Sequence, residues 1–248
     1  MAFRNSEEGK HVENGVTWFE RPILEVTSGA SAGKWERLAI QTHFVQRGES
    51  YIELVRKYVA PLCREGDLLS TSEKIIGMCQ NNVVEMKDVK LGWWAKHLSR
   101  FASRSAAGIG MDEPYKLQLA INLAGLPRIL WACFCHVCGK LVGKKGVFYK
   151  VAGHDIAGID GFYSHSSFEL YHTLAILNPR EPDKVAGELS AELGIPAYLV
   201  DANDLEREVL GKSPDAPFTD DEFLELIRDN PAGQSDELTP LILIRKAE

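Results

Sequence analysis

Two stretches organise the sequence, Gly153-His154-Asp155-Ile156-Ala157-Gly158-Ile159-Asp160-Gly161 and Leu199-Val200-Asp201-Ala202-Asn203-Asp204. In each, an aspartate follows a short apolar run, as is typical of the end of a strand. Asp160 and Asp201 would then project from rigid elements into a cleft, where two carboxylates suit one divalent cation. The small residues beside them (Ala157, Gly158, Gly161, Ala202) leave room for a ligand near the backbone. The alternative is that both are turn or helix-cap aspartates.

Bulk properties narrow the class of protein. The chain has 248 residues, with 45% hydrophobic and 25% charged residues, which is ordinary for a globular protein. A net charge of −7 argues against general nucleic-acid binding, because no excess of Lys and Arg is present to neutralise phosphates. No apolar run reaches the length of a membrane span, and residues 1–8 lack the apolar segment of a signal peptide. We therefore expect a cytoplasmic protein with no nucleic-acid and no membrane partner, and the five cysteines form no disulfide-like framework.

The organisation of the chain follows from alternating strand and helix patterns. We expect a polar N-terminal leader with little regular structure over residues 1–35 and one α/β unit over 36–248. The fold class is α/β (α+β) with a mixed or parallel sheet, whose ligands bind at the carboxyl ends of strands. The predicted strands are 37–45, 68–71, 129–133, 146–152, 174–177, 196–200 and 241–245. The predicted helices are 50–59, 89–102, 114–125, 182–193 and 219–228.

A second cluster of chemical groups directly follows the predicted strand 68–71. Ser72, Glu73 and Lys74 place a hydroxyl, a carboxylate and an ammonium together at a strand end. Such a set suits contacts with phosphate or with a metal–phosphate complex, and Lys74 supplies the point charge. A surface ion pair at the start of a helix explains the same residues equally well.

The segment Cys133-Phe134-Cys135-His136-Val137-Cys138 contains a C-x-x-C pair and a histidine. A structural zinc site needs four ligands, normally from two separated knuckles, and here all of them crowd one segment. In a strand, Cys133 and Cys135 would face one side and His136 the other. We interpret these residues as small buried side chains, with a metal site as the weaker alternative. The sequence carries no Walker A pattern, dinucleotide fingerprint or Gly-x-Ser-x-Gly elbow.

Four segments taken in order resemble the coenzyme F(420)-0:L-glutamate (γ-glutamyl) ligase family, as a divergent bacterial relative. They are 66–75 (Gly-Asp-Leu-Leu-Ser-Thr-Ser-Glu-Lys-Ile), 157–160 (Ala-Gly-Ile-Asp), 177–183 (Leu-Asn-Pro-Arg-Glu-Pro-Asp) and 199–201 (Leu-Val-Asp), and the likeness covers roughly residues 37–210. The resemblance implies an enzyme that adds L-glutamate to a carboxylate with GTP or ATP as co-substrate and Mg²⁺ or Mn²⁺ as cofactor, with K⁺ a further candidate. It also implies the mixed-sheet ligase fold of that family and an intertwined homodimer.

The resemblance also assigns residues. It implies that Asp160 and Asp201 bind the metal, that Ser72 lines the nucleotide site, and that Lys74 and Glu73 are the catalytic pair. Lower-ranked candidates, each of which is equally a cap or turn residue, are Asn203 and Asp204 for the nucleotide and His165, Gln234, Asp236 and Glu237 for the substrate.

The chain departs from the family pattern after each aspartate. Where the family continues Gly-Ile-Asp with Glu/Gln-Ser-Asn, this chain has Gly161-Phe162-Tyr163, and where the family continues the second aspartate with Thr-Phe-Gly-Arg, this chain has Ala202-Asn203-Asp204-Leu205. The acceptor therefore stays open, and a pterin or folate acceptor, or a different amine donor, fits as well. The alternative function is a catalytically inactive relative that binds a nucleotide or metabolite in a regulatory or assembly role.

Overall fold

The computed structural model describes residues 5, 9–102, 111–144, 146–162, 169–202, 207–233 and 237–247. The chain divides into two compact units, Met1–Asn81 with Pro179–Glu248, and Asn82–Asn178. We call these the sheet unit and the helical unit. The division differs from the single unit expected over 36–248, because the middle of the chain builds an apolar core of its own.

The described residues form ten strands and ten α-helices. The strands are β1 Lys10–Glu13, β2 Val16–Val26, β3 Gly33–Ile40, β4 Leu68–Ser72, β5 Val83–Glu85, β6 Asp160–Gly161, β7 Leu174–Ile176, β8 Ala197–Ala202, β9 Arg207–Lys212 and β10 Leu241–Lys246. The helices are α1 Tyr51–Tyr58, α2 Glu73–Cys79, α3 Trp93–Leu98, α4 Pro114–Ala124, α5 Leu126–Leu141, α6 Val147–Ala152, α7 His154–Ala157, α8 Leu170–Thr173, α9 Pro182–Leu193 and α10 Asp220–Leu226.

The sheet unit contains a seven-stranded mixed sheet in the order β1-β2-β3-β10-β4-β8-β9. β4 and β8 run parallel, and the other neighbours pair in antiparallel register. The mixed α+β class is thereby confirmed. One apolar cluster covers each face of the sheet, because successive side chains of a strand point to opposite sides. Leu69 and Leu199 belong to one cluster, with residues of α1, α2 and α9, whereas Leu68 and Val200 belong to the other, with residues of α10.

The expectation of little regular structure over residues 1–35 is wrong. β1 and β2 form a hairpin there, and Asn14 and Gly15 both take positive φ at its turn. An Asn-Gly pair between two extended segments is a strong hairpin signal, because both residues tolerate this conformation. The polar composition reflects exposure and not a lack of structure, since β1 is an exposed edge strand.

Several predicted elements are confirmed with small shifts in their ends. Ser50 caps α1 by accepting a hydrogen bond from the amide of Glu53. Gly194 ends α9 with a positive φ, and Thr219 opens α10 with a capping box. Local signals of this kind are readable from sequence because cap residues satisfy backbone groups that the helix leaves unpaired.

In the helical unit, the strands predicted over 129–133 and 146–152 are wrong, since these residues lie in α5 and α6. Short apolar runs fit a buried strand or a buried helix equally well. Gly139 of α5 packs so closely on Val147 of α6 that a Cβ would lie 2.6 Å from a methyl carbon. The helix predicted over 89–102 is also shorter than expected, because α3 is followed by a 3-10 turn over Ser99–Phe101. A small antiparallel sheet in the order β5-β7-β6 completes the unit.

No single helix among the described residues is long and apolar enough to cross a membrane. α4 and α5 meet that length and composition only when taken together, and they are bent by 117° at Gly125.

Candidate functional site

The parallel pairing of β4 and β8 brings two of the predicted groups to one edge of the sheet unit. Ser72 pairs with Val200, so Glu73 and Asp201 follow side by side at the carboxyl ends of adjacent strands. Ser72 is the N-cap residue of α2, yet its side chain makes no capping hydrogen bond. Ser72, Glu73, Lys74 and Asp201 are all half-buried. This edge, Thr71–Lys74 together with Asp201, is the candidate site, and we call it the strand-end site.

Asp201 is not a turn or helix-cap residue, because it lies within β8 and pairs with Glu208 of β9. Side chains of directly paired residues lie on the same side of a sheet, and like charges placed opposite each other are unfavourable. Glu208 was not anticipated from the sequence, since only the register of the hairpin places it opposite Asp201.

Thr71 is a second group that sequence reasoning missed. It pairs with Leu199, two residues before Asp201, so both side chains lie on the same face of the sheet. Thr71 is fully buried, and its Oγ1 has no hydrogen-bond partner among the described residues. A buried hydroxyl without a partner costs free energy, which makes it a candidate ligand contact. Its position inside a predicted strand gave no signal for this role.

Two further segments reach the same edge. β10 begins beside the end of β4, where the amide of Ser72 donates a hydrogen bond to the carbonyl of Pro240 at 3.0 Å. The amide of Thr42, just after β3, donates to the carbonyl of Leu238 at 2.9 Å. The strand-end site is therefore bordered by the loop before β10 and by the segment after β3.

Next to Thr42 lies a three-residue cluster that no sequence pattern indicated. His43 Nδ1 lies 2.9 Å from the hydroxyl of Tyr58, and His43 Nε2 lies 2.7 Å from Oε2 of Glu49. Glu49 also accepts a hydrogen bond from the amide of Gln46. These contacts order the segment between β3 and α1, and they join residues whose sequence spacing follows no motif.

Glu237, predicted to contact substrate, has a contact within the chain. Its Oε2 accepts a hydrogen bond from the amide of Asn5 at 2.7 Å, and its carbonyl accepts one from the Asn5 side chain. Asn5 Oδ1 in turn accepts a hydrogen bond from buried Arg21. Burial lowers the pKa of Arg21, and Glu237 counteracts that effect. These contacts indicate that Glu237 helps to anchor the loop before β10.

Asp160 lies in the helical unit, where it begins β6 and does not end a strand. It pairs with Ile176 of β7 and follows the short helix α7. The expectation that the neighbouring glycines leave room for a ligand is wrong. A Cβ at Gly158 would overlap the side chain of Asn178 at 1.6 Å, and one at Gly161 would lie 2.2 Å from the carbonyl oxygen of Leu174.

The two predicted metal ligands thus belong to different units, Asp201 to the sheet unit and Asp160 to the helical unit. Within the described ranges, no group of three or more His, Cys, Asp or Glu side chains is arranged to hold a metal ion. The strand-end site supplies carboxylate and hydroxyl oxygens, which fit a hard divalent cation. Mg²⁺ is commonly bound through one or two carboxylates, with substrate phosphates and water completing its shell.

The cysteine segment is helical, which corrects the expected alternation of its side chains. Cys133, Cys135, His136 and Cys138 lie on α5, and the described cysteines are free thiols. Burial raises the pKa of Cys133, as expected of a thiol packed among apolar groups. The interpretation as small buried side chains is wrong, since Cys133 and Cys135 are only partly buried and Cys138 is exposed.

The remaining candidates, Asn203, Asp204, His165, Gln234 and Asp236, lie outside the described residues.

Comparison with known proteins adds no assignment: no protein-family model matches the chain, and no curated protein matches it.

Proposed function

We propose that this chain is a nucleotide- and divalent-metal-dependent amide ligase that joins an amino acid, L-glutamate in the first instance, to a carboxylate acceptor through an acyl phosphate. The observation that carries the proposal is the parallel register of β4 and β8. It pairs Ser72 with Val200, so that Asp201 and the segment Glu73-Lys74 both follow directly after paired residues. Two of the segments that resemble the γ-glutamyl ligase family, 66–75 and 199–201, contain these paired strand ends.

Each residue of the site has a role in this chemistry. Asp201, with Glu208 opposite it, supplies oxygen ligands for Mg²⁺ or Mn²⁺, and Thr71 and Ser72 supply hydroxyls for phosphate or for the metal. Lys74 supplies positive charge for the transferring phosphoryl group. A bound divalent cation neutralises charge on the triphosphate. Asp160, which lies in the helical unit, is assigned to the metal by the resemblance alone.

The proposed reaction has two steps, a phosphoryl transfer to the acceptor and an acyl transfer to the amine. An oxygen of the acceptor carboxylate forms a bond to the γ-phosphorus of GTP or ATP, and the nucleoside diphosphate leaves. The amine of glutamate then attacks the acyl carbon, inorganic phosphate leaves, and the amine gives up a proton. Glu73, at the first turn of α2, is the proposed acceptor of that proton.

Phosphate release tests the proposal. The full chain is incubated with GTP or ATP, Mg²⁺ or Mn²⁺, glutamate and a panel of deazaflavin, pterin and folate carboxylates. We expect turnover with at least one acceptor and a loss of about 10²-fold or more in kcat for Asp201→Asn, because a charged metal ligand is removed. Asp221→Asn, which removes an exposed carboxylate on α10, is the matched control and should retain full activity.

Nucleotide affinity separates the possible outcomes. Absence of turnover with every acceptor, together with unchanged nucleotide affinity in Asp201→Asn, contradicts the ligase proposal. Absence of turnover with affinity lost in Asp201→Asn instead supports the alternative of an inactive relative that binds a nucleotide. The altered sequence after Asp201 is the feature that favours this alternative.

A cytoplasmic location and a homodimer belong to the same proposal. The free thiols of the described cysteines support a reducing compartment. The homodimer follows from the resemblance, and the molecular mass in solution tests it.

A further inference from the structure

The outward face of α5 is apolar along its length. The exposed or partly exposed residues of this face recur at helical spacing and are Leu130, Trp131, Phe134, Val137, Cys138 and Leu141. Trp131 is 59% exposed, Phe134 58% and Leu141 83%, and Trp131 stacks on Phe134 with ring centroids 5.4 Å apart. We call these six residues the α5 stripe.

The stripe inverts the usual pattern of a surface helix. Such a helix normally turns polar residues outward and apolar residues toward the core. In α5 the inward face, with Ile129, Ala132 and Gly139, is already buried in the core of the helical unit. The stripe is therefore a second apolar face beyond what the fold requires. Contiguous exposed apolar patches of this kind mark interaction surfaces.

The stretch of sequence that contains the stripe carries charge of one sign. Residues 114–154 contain six Lys and Arg and not one Asp or Glu, although the whole chain carries a net charge of −7. Arg128, Lys140, Lys144 and Lys150 are exposed, and none of them forms an ion pair with a carboxylate among the described residues. A surface that combines an apolar stripe with cations is complementary to an apolar partner of negative charge.

Two other occupants fit these observations less well. A second copy docking isologously through the stripe would bring the same cations against each other, which is electrostatically unfavourable. A membrane span of α4 and α5 conflicts with the burial of α4, since Leu117, Leu119 and Ala120 lie in the core of the helical unit. The apolar side chains and the nearby cations favour a surface that is anionic and is apolar below its charged layer.

We propose that the α5 stripe docks the protein peripherally on an anionic phospholipid surface. Trp131, Phe134 and Leu141 enter the boundary between headgroups and acyl chains, as in an interfacial helix. Lys140 and Lys144 extend their stems along the apolar boundary and place their ammonium groups at lipid phosphates. This departs from the expectation of no membrane partner, because a search for spans counts apolar length and not the exposure of one helix face.

Vesicle flotation of the full chain tests the proposal. We expect binding to vesicles of phosphatidylcholine mixed with phosphatidylglycerol, and much weaker binding to phosphatidylcholine alone. Trp131→Ser combined with Phe134→Ser should lower the partition coefficient at least about tenfold, because two large apolar side chains no longer enter the lipid. Ile23→Ser is the matched control, since Ile23 is an exposed apolar residue on β2 of the sheet unit.

A second set of variants tests the contribution of the lysines to vesicle binding. Lys140→Gln combined with Lys144→Gln should lower binding to the mixed vesicles about thirtyfold, at roughly fivefold for each lysine. Lys34→Gln combined with Lys57→Gln, two exposed lysines of the sheet unit, should leave binding unchanged. Added salt should weaken wild-type binding in the same direction.

Three outcomes overturn the proposal. They are no flotation of the wild type with the mixed vesicles, equal flotation with and without phosphatidylglycerol, and unchanged flotation of the Trp131→Ser, Phe134→Ser variant. If the wild type does not float and this variant instead has a smaller mass in solution, the stripe is a contact between protein chains. Circular dichroism of each variant checks that the fold is kept. We expect that it is, because the substituted side chains are exposed.

Discussion

The sheet unit and the helical unit differ in how completely they bury their large apolar side chains. Nine of the eleven exposed large apolar side chains among the described residues lie in the helical unit, and only Val12 and Ile23 lie in the sheet unit. Both faces of the seven-stranded sheet carry buried clusters. The sheet unit therefore buries most of its large apolar side chains and carries polar groups at strand ends, whereas the helical unit leaves apolar surface exposed.

The difference also separates the two proposals. The ligase proposal depends on polar groups fixed by strand register in the sheet unit, and the docking proposal depends on a helix face in the helical unit. Each is therefore tested by variants in its own unit. The two units also rely on different contacts for their stability.

The largest effect is expected for Gly161→Ala in the helical unit. Gly161 has a φ of 147°, and a Cβ would meet the backbone of β7, with the Leu174 oxygen at 2.2 Å. A clash with backbone at a conformation that L residues avoid should lower the free energy of unfolding by about 3–5 kcal/mol. Denaturant unfolding followed by tryptophan fluorescence measures it.

Gly143→Ala is the matched control in the same unit. Gly143 also has a positive φ, but nothing lies within 4 Å of its added Cβ, so the expected loss is about 1 kcal/mol. Equal losses in the two variants would show that the short β6–β7 pairing does not limit the stability of the helical unit.

An intermediate effect is expected for Asp67→Asn in the sheet unit. Asp67 Oδ2 accepts a hydrogen bond from Arg245 Nη2 at 2.7 Å, and both side chains are buried. Removing one partner leaves a buried charge uncompensated and should cost about 3 kcal/mol of unfolding free energy, measured by denaturant titration. Asp220→Asn, which breaks the exposed pair with Lys212, should cost less than about 1 kcal/mol. Similar costs for both variants would mean that this buried pair does not hold β10 to the rest of the unit.

The smallest expected effect is a difference in the rate of alkylation between one cysteine thiol of each unit. Burial, with a smaller contribution from Glu49, raises the pKa of Cys79 to about 12, so below that pH its thiol stays protonated. Cys138 is exposed on the α5 stripe. Alkylation at neutral pH, located by peptide mass spectrometry, should label Cys138 first and Cys79 only after unfolding, because the thiolate is the reactive form. Early labelling of Cys79 would show that the sheet unit opens more readily than its burial indicates.

Local signals in the sequence predicted local structure well. Ser50 marks the start of α1 because its side chain accepts a hydrogen bond from a backbone amide of the first turn. Gly194 marks the end of α9 because it adopts the positive φ at which the helix stops. β4 and the adjoining Ser72–Lys74 segment were located because a short apolar run ends in polar groups. Asp201 was placed at a strand end for the same reason.

Pairing between distant segments could not be predicted in this way. Glu208 lies opposite Asp201, and Thr71 lies on the same face as Asp201, only because of sheet register. The apolar run 129–133 fits a strand or a helix, and the packing of Gly139 on Val147 accompanies the helical outcome. The net charge of −7 describes the whole chain and gives no indication that residues 114–154 contain no Asp or Glu. A local excess of positive charge is therefore not visible in the total.

The position of β10 in the sheet has a consequence for folding. β10 is the last strand in the chain, yet it lies between β3 and β4 near the middle of the sheet order. During synthesis, β3 and β4 cannot be joined in the sheet until β10 (residues 241–246) has been made, because β10 pairs with both. The sheet of this unit is therefore completed late, through contacts between residues far apart in the sequence. The helical unit, whose residues 82–178 are contiguous, can fold while the remainder is still being made. We therefore expect refolding from denaturant to show a fast phase from the helical unit and a slow phase from the sheet.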